Sequence, residues 1–247
     1  MDQKLNKIGN QPTAGILVIG DEILSGRTMD SNSNYLAKKL SDLGINLSEV
    51  RVIGDEENKI IEAINHLRGI YKYVFTSGGI GPTHDDITAE AIAKAFNVPL
   101  KINKEAVKLL AANYPNGEKD INSARLRMCR IPESATLIQN PISKAPGFSL
   151  ENVFVMAGVP SIFKAMVDSV VSELTGGLPL LSISLRVERG EGDIATKLSE
   201  IAKEHSDISI GSYPFNQNGK YGTIIVARHT NMMVLKKLQK KLEKLLL

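Results

Sequence analysis

The chain has 247 residues, of which 43% are hydrophobic and 23% charged, with a formal net charge of +3 at pH 7. These values are ordinary for a globular protein of one large domain or two modest ones, and they exclude disorder, collagen-like repeats and coiled coil for most of the chain. No apolar run approaches the roughly 20 residues of a membrane span, residues 1–12 have no secretory-signal pattern, and a single cysteine, Cys129, excludes an internal disulfide framework. We therefore expect a cytoplasmic protein with no membrane partner.

The first 178 residues alternate short apolar runs with amphipathic stretches. Strands are predicted at Ala14–Ile19, Asn46–Val52, Tyr73–Thr76 and Val153–Met156. Helices are predicted after the capping residues Asp30–Asn32 and Asp55, and at Ile87–Phe96, Lys104–Ala112, Ser123–Arg130 and Pro160–Glu173. Strands that alternate with helices predict an α/β fold with a mostly parallel sheet.

The pattern changes at Thr175–Pro179, where helix-breaking residues predict a linker. Beyond it the sequence predicts a β-α-β-β-α module with a polar turn at Asn216–Lys220, so we place domains at 13–177 and 178–247. In the last helix, Leu235, Leu238, Leu242 and Leu245 are predicted to face inward. Residues 179–247 carry 11 Lys and Arg against 7 Asp and Glu. A solvated lysine face on that helix explains this excess, so no nucleic acid is expected.

The most specific stretch is Thr76–Asp86, with the sequence TSGGIGPTHDD. Its three glycines, Gly78, Gly79 and Gly81, follow a predicted strand and precede a predicted helix. Backbone N–H groups in such a loop can bind phosphate, together with Ser77 and Thr83. The pattern is neither a P-loop nor a dinucleotide fingerprint.

Asp85 and Asp86 directly follow this loop. Carboxylates beside a phosphate site would repel the ligand unless a divalent cation lies between them, and Mg²⁺-type ions bind one or two carboxylates together with phosphate oxygens. We expect one of the pair to face the ligand or metal and the other to cap or brace the loop. The alternative is that both only favour a helix N-terminus.

A second loop, Gly20–Arg27, follows the first predicted strand. Because ligands bind beyond the carboxyl ends of parallel strands, this loop and the glycine-rich loop can meet. Asp21 and Glu22 are then further metal or base candidates. Taken alone, the segment is better interpreted as a solvated turn.

Four segments carry a resemblance to a known family: Gly20–Gly26, Asp30–Asn32, Ser77–Asp86 and Ala145–Phe148. Together they resemble the MoaB/Mog-type molybdopterin-binding domain, in the branch of the CinA competence/damage-inducible proteins, and also the N-terminal domain of eukaryotic FAD synthase. The resemblance covers residues 13–247, and Gly211–Pro214 resembles the segment that follows the domain in that branch.

The resemblance implies a three-layer α/β fold and two alternative functions. In relatives it implies metal-dependent hydrolysis of nucleotide pyrophosphates such as ADP-ribose or FAD; the parent family binds or adenylylates molybdopterin. It implies a divalent ion (Mg²⁺, Mn²⁺, Co²⁺ or Ni²⁺), with a monovalent cation as a further candidate, and a homo-oligomer.

Two features depart from the CinA pattern. The late loop is Ala157–Pro160 rather than Pro-Gly-Pro-Pro, which leaves the role of Gly158 in ligand selectivity open. The 247 residues also contain no segment resembling the CinA deamidase domain or a FAD-synthesising domain, so we expect a stand-alone form without nicotinamide-nucleotide deamidation.

Other candidates have two interpretations each. His84 can donate to a phosphate or merely support the loop. Arg127, like Arg125, can reach a second phosphate or be a solvated helix residue, and Lys144 is similar. Asn32 is by default a cap and otherwise a ligand contact. Cys129 is expected to be a small buried residue.

The leading hypothesis is a metal-dependent nucleotide pyrophosphatase that releases AMP. Gly78, Gly79 and Gly81 would hold the pyrophosphate, Asp86 with Asp85 or Glu22 would hold the cation, and Glu22 would be the base. The alternative is a molybdopterin-binding or molybdopterin-adenylylating protein, in which the same loop holds a pterin phosphate. A third is a binding protein without catalysis.

Overall fold

The computed structural model describes residues 11–217 and 219–246. Most of the polar N-terminal stretch, in which no signal was predicted, lies outside the described residues, as does Asn218 of the predicted turn. The chain divides into two compact units, one of residues 12–176 and one that begins at Gly177 and includes Gln11. Among the described residues, no helix combines the length and apolar character that crossing a bilayer requires.

The larger unit contains eight strands and seven α-helices. Its strands are β1 Thr13–Ile19, β2 Asn46–Ile53, β3 Tyr73–Ser77, β4 Leu100–Ile102, β5 Arg130–Pro132, β6 Thr136–Ile138, β7 Gly147–Leu150 and β8 Val153–Met156. Its helices are α1 Asp21–Leu24, α2 Asn32–Asp42, α3 Glu57–Ile70, α4 Thr88–Ala95, α5 Lys104–Ala111, α6 Ser123–Arg127 and α7 Pro160–Val170, with 3₁₀ turns at Gly117–Asp120 and Val171–Glu173.

Six strands form one mixed sheet in the order β2-β1-β3-β8-β7-β6. The pairs β1–β2, β1–β3 and β3–β8 are parallel, and β7 and β6 add two antiparallel pairings at one edge. Strands β4 and β5 form a separate antiparallel pair. The predicted α/β fold with a mostly parallel sheet is confirmed.

Helices cover both faces of this sheet because its strands are apolar on both sides. On one face Leu17 of β1 packs with Ile60 and Ile64 of α3. On the other face Ile16 of β1 packs with Leu40 of α2 and with residues of α7. The result is three layers with a core on each side of the sheet. The two loops predicted to form the site follow β1 and β3, at the ends of these strands.

Two local predictions were wrong. The segment predicted as a helix to residue 130 ends at Arg127, and Arg130 begins β5. Helix α3 is not capped by Asp55: its N-cap is Glu56, and no side chain caps it. Asp85 and Asp86 precede α4, which begins at Thr88, so they do not lie in its first turn.

The smaller unit has the predicted β-α-β-β-α order. Its elements are β9 Leu181–Val187, α8 Glu191–Glu204, β10 Ser209–Gln217, β11 Lys220–His229 and α9 Met232–Leu246. The strands form an antiparallel sheet in the order β10-β11-β9. Leu235, Leu238 and Leu242 of α9 are buried as predicted, but Leu245 is exposed and Leu246 is buried instead.

Cys129 is buried in the core of the larger unit, as predicted. Burial raises the pKa of its thiol to about 11, so at pH 8 only about 0.1% is in the reactive thiolate form. We expect a disulfide reagent such as Ellman's reagent to react very slowly with the native protein and stoichiometrically after unfolding in guanidinium chloride. Rapid, complete reaction in the native state would contradict the burial described here.

Candidate functional site

A cavity of about 480 Å³ lies where loops leave the carboxyl ends of the parallel strands. Its wall includes Gly20 after β1, Asp55 after β2, Gly79 after β3 and Gly158 after β8. Chain order reverses between β1 and β3 in the sheet, and α/β folds bind ligands at such a reversal. The two loops singled out from the sequence therefore meet in this cavity.

The glycine-rich loop leaves β3 through two glycines with positive φ. Gly78 has φ 111° and Gly79 has φ 70°. A Cβ on Gly78 would lie 2.2 Å from the backbone oxygen of Ile19, and one on Gly79 would lie 2.0 Å from Thr88 Oγ1. Both the backbone conformation and the close approach of β1 and α4 therefore require glycine.

The loop offers its backbone N–H groups unevenly. The N–H of Gly78 donates to the Met156 oxygen at 3.1 Å, so it continues the sheet and is not free for a phosphate, contrary to its predicted role. Within the described part of the chain, the N–H groups of Gly79, Ile80 and Gly81 donate no hydrogen bond. All three residues line the cavity. Three consecutive free donors are an arrangement that can bind an anion.

Asp86 braces the loop. Its Oδ2 accepts from the Thr83 N–H at 2.8 Å and from the Thr83 hydroxyl at 2.5 Å. A Cβ on Gly81 would lie 2.6 Å from the same oxygen. Asp86 is thus the bracing member of the aspartate pair. Its partner Thr83 is a loop residue whose hydroxyl donates to Asp86.

Asp85 is the more exposed member of the pair. Its side chain is 61% exposed, and the residue lines the cavity. Its pKa is held below the ordinary value first by the Thr83 hydroxyl, then by its own backbone N–H and by the nearby His84 ring. His84 is 99% exposed, with Nδ1 3.9 Å from Asp85 Oδ1, and it does not line the cavity.

The loop after β1 contributes Glu22 to the cavity wall but not Asp21. The backbone N–H of Asp21 instead donates to Asp55 Oδ2 at 3.1 Å, which ties the loops after β1 and β2 together. Asp55 lines the cavity and was missed as a site residue because its position before α3 is typical of a cap.

Asp55 lies in an acidic environment. Burial raises the pKa of its carboxyl, as do the carboxylates of Asp21, Glu22 and Asp85, while the hydrogen bond from Asp21 partly opposes the shift. The carboxylates of Glu22 and Asp85 therefore repel that of Asp55 at the cavity wall, and an anionic ligand there would add to the repulsion.

A raised folded-state pKa means that Asp55 destabilises the fold when ionised, beginning as the pH rises past its ordinary value of 3.8. Asp55→Asn should therefore raise the melting temperature at pH 7 and leave it unchanged near pH 3, where both side chains are neutral. Glu62→Gln, an exposed helix position with the same change of charge, is the control. A lower melting temperature of Asp55→Asn at pH 7 would contradict this reading of the cavity.

Asn32 connects three loops from within the fold. Its Nδ2 donates to Ser77 Oγ and to the Gly158 oxygen, both at 2.8 Å. Asp30, not Asn32, caps α2, because Asp30 Oδ1 accepts from the N–H groups of Asn32 and Ser33. Asn32 and Ser77 are therefore buried supports of the cavity, and neither lines its main wall.

The remaining predicted residues lie at different distances from the cavity. Arg127 donates to the backbone oxygen of Asp86 at 3.2 Å, behind the glycine-rich loop. Arg125 stacks on Tyr114 at 4.1 Å and does not line the cavity. Lys144 is exposed and is not part of the wall, although Ser143 and Ala145 are.

Asn140 was not predicted from the sequence. It is buried, and its side chain bonds the hydroxyl and N–H of Ser143, the N–H of Ile142 and the oxygen of Ala145. It thereby fixes the loop before β7 against the cavity. An Asn-Pro pair that opens a loop is a turn signal which could have indicated it.

The residues present fit a cation shared with a phosphate better than a metal cage built by the protein alone. Among the described residues, no three His, Cys, Asp or Glu side chains are close enough to hold a metal ion, so the predicted set of Asp86, Asp85 and Glu22 is not assembled as one. Glu22, Asp55 and Asp85 nevertheless line one cavity. One or two carboxylates plus phosphate oxygens are the donors that Mg²⁺-type ions take.

Comparison with known proteins agrees with this geometry. Residues 15–176 match the family described as "Probable molybdopterin binding domain", and residues 179–247 match "FAD synthase, middle domain". A protein of Archaeoglobus fulgidus is 35% identical over 81% of this chain and 84% of its own length. The "Probable FAD synthase" of Caenorhabditis elegans is 33% identical over 88% of this chain, which spans only 46% of that relative.

Among solved structures, the CinA protein of Thermoplasma acidophilum, whose function is described as unknown, is 31% identical with a TM-score of 0.62. That match covers 67% of this chain and 99% of the other. The chain belongs to the molybdopterin-binding domain family of the MoaB/Mog type, on its CinA-like side, and continues into a segment similar to the middle domain of FAD synthase.

Proposed function

We propose that this protein is a metal-dependent nucleotide pyrophosphatase that cleaves an ADP-linked dinucleotide, such as ADP-ribose or FAD, and releases AMP. The observation that carries the proposal is the row of free N–H groups at Gly79, Ile80 and Gly81, which faces carboxylates across one cavity. Free amides bind phosphate, and the carboxylates suit a cation that neutralises it.

The carboxylates divide into distinct roles in this proposal. Asp85 and Asp55 would hold a divalent ion, since both line the cavity and interact electrostatically. When bound, such an ion would neutralise phosphate charge and activate water. Asp86 keeps the loop in shape through Thr83.

Glu22 is the proposed proton acceptor. It lies on the cavity wall in the short helix α1, opposite the glycine-rich loop across the sheet reversal. A water oxygen bonds to one phosphorus, and the bond from that phosphorus to the bridging oxygen breaks. The bridging oxygen leaves on the second phosphate, and the water proton passes to Glu22 and then to solvent.

The amides of residues 79–81 would hold the phosphoryl oxygens throughout this step. Because the backbone of the loop is fixed by Gly78 in the sheet and by Asp86, these donors are positioned before substrate arrives. Donors that need no rearrangement stabilise the charge that develops in the transition state.

A second candidate function is supported by the family match over residues 15–176. In it the same loop binds the phosphate of a molybdopterin, or activates it by adenylylation. The similarity to a probable FAD synthase over 88% of the chain favours a flavin or adenine nucleotide instead. A homo-oligomer is proposed for either function.

The two candidates are separated by incubating the purified protein with FAD, ADP-ribose and NAD, each with Mg²⁺, Mn²⁺, Co²⁺ or Ni²⁺, and assaying AMP by chromatography. Release of AMP that needs a metal supports the pyrophosphatase. Failure to cleave any nucleotide with any metal overturns it, and pterin fluorescence in protein from a molybdopterin-producing host would then favour the second candidate.

A further inference from the structure

Behind the glycine-rich loop, one glutamate is shared by two arginines. Glu90 Oε1 lies 2.5 Å from Arg130 Nη2 and 3.7 Å from Arg127 Nη2. Arg130 is therefore the close partner and Arg127 the distant one. Asp86, a second carboxylate, lines the same small gap as the two arginines and Glu90.

Arg127 is incompletely satisfied in this arrangement. Its Nη2 donates to the Asp86 oxygen at 3.2 Å, but its Nε is buried and has no acceptor among the described residues. A buried charged donor without an acceptor is costly, so a group that could pair with Arg127 would bind it favourably.

Arg127 does not line the main cavity, but it lines a small gap that shares residues with it. This gap of about 10 Å³ between Arg127 and the loop is lined by Gly79, Ile80, Gly81 and Asp86, all of which also line the main cavity. The gap holds no more than about one water molecule, so a phosphate cannot enter it. Contact with a phosphate in the main cavity therefore requires the Arg127 side chain to turn away from the Asp86 oxygen.

We propose that Arg127 is the receptor for the second phosphate of the ligand, and that Arg130 frees it for this role by keeping Glu90 neutralised. This inference rests on the proposed function, because it assumes that the cavity binds a nucleotide diphosphate. Guanidinium matches phosphate geometry with two parallel hydrogen bonds, and the Nε of Arg127 has no acceptor among the described residues. The arrangement thus selects diphosphates over monophosphates.

The first test compares equilibrium binding of ADP and AMP, both with Mg²⁺, by calorimetry. Arg127→Gln should raise the dissociation constant of ADP about 10- to 100-fold, the value of a charged hydrogen bond, and change that of AMP little. Arg125→Gln is the control from the same helix, since Arg125 stacks on Tyr114. A general loss of folding would weaken both nucleotides equally and would not mimic this selectivity.

The second test addresses Arg130. Without Arg130, Glu90 has only Arg127 as a partner and should hold it away from the cavity. Arg130→Gln should therefore weaken ADP binding relative to AMP although Arg130 does not line the main cavity. Adding Glu90→Gln to that variant should restore the preference for ADP.

The outcomes separate this inference from the proposed function. If ADP and AMP bind the wild type equally well, or if Arg127→Gln keeps the preference for ADP, the role of Arg127 is wrong while the cavity still binds nucleotides. If neither nucleotide binds, the proposed function fails and this inference with it. Loss of ADP preference in Arg130→Gln that Glu90→Gln does not restore overturns the role of Arg130.

Discussion

Replacing Gly78 with alanine should cost about 3 kcal/mol or more of unfolding free energy. Gly78 has φ 111°, which strains any residue with a Cβ, and that Cβ would lie 2.2 Å from the Ile19 oxygen. The clash is with backbone of the central strand β1, so no side-chain rotation relieves it. Strain of this type costs about 1–3 kcal/mol before the clash is counted.

Gly69→Ala is the matched control for that experiment. Gly69 lies in helix α3, is exposed, and has no atom within 4 Å of an added Cβ. Its replacement should stabilise the protein by about 0.5 kcal/mol, because alanine favours helix. Urea denaturation followed by circular dichroism measures both variants, and equal stabilities for the two would contradict the described path of the glycine-rich loop.

Asp85→Asn should lower the rate of AMP release by about 100-fold or more, with little change in melting temperature. The expected loss corresponds to several kcal/mol of charge stabilisation by a metal that the variant no longer holds. Stability should change little because the Asp85 side chain is 61% exposed and 3.9 Å from His84. The Thr83 hydroxyl, which lowers the pKa of Asp85, still bonds Asp86 in the variant. Steady-state chromatographic assay of AMP, beside thermal melting of the same samples, gives both quantities.

Two further variants make this result specific. Asp42→Asn removes an exposed carboxylate at the end of α2 far from the cavity and should keep full activity. Asp86→Asn should lower stability and activity together, because it weakens the hydrogen bonds to Thr83 that shape the loop. If Asp85→Asn cleaves as well as the wild type, the assignment of the metal to Asp85 is wrong.

The sheet and the place of the site were predictable because the signals are local. Strands β1, β3 and β8 are largely apolar runs, each followed by a loop that contains glycine, and they could be located from this pattern alone. The antiparallel strands β6 and β7 could not, since runs of three and four residues are too short to show a period. The buried face of α9 was predicted correctly except at its end, where Leu246 is buried in place of Leu245.

The errors at the site arise from contacts between residues far apart in the chain. Gly78 belongs to an evident phosphate-loop pattern, but its N–H is used by Met156 of β8, a partner that the local sequence cannot reveal. Asp55 resembles a helix cap until the loops after β1 and β2 are seen side by side. Asp85 and Asp86 were expected to divide into a residue that faces the ligand and one that braces the loop. The turn at Thr83, which bonds Asp86, decides which of them braces the loop.

The proposed function depends most on binding of a nucleotide phosphate by the free amides of residues 79–81. The most direct test is titration of ¹⁵N-labelled protein with ADP and Mg²⁺, followed by the backbone amide resonances. We predict saturable shifts of the Gly79, Ile80 and Gly81 amides, with Gly69 and Gly117 unchanged. Saturable binding of ADP that leaves the amides of Gly79, Ile80 and Gly81 unshifted would contradict the proposed phosphate site.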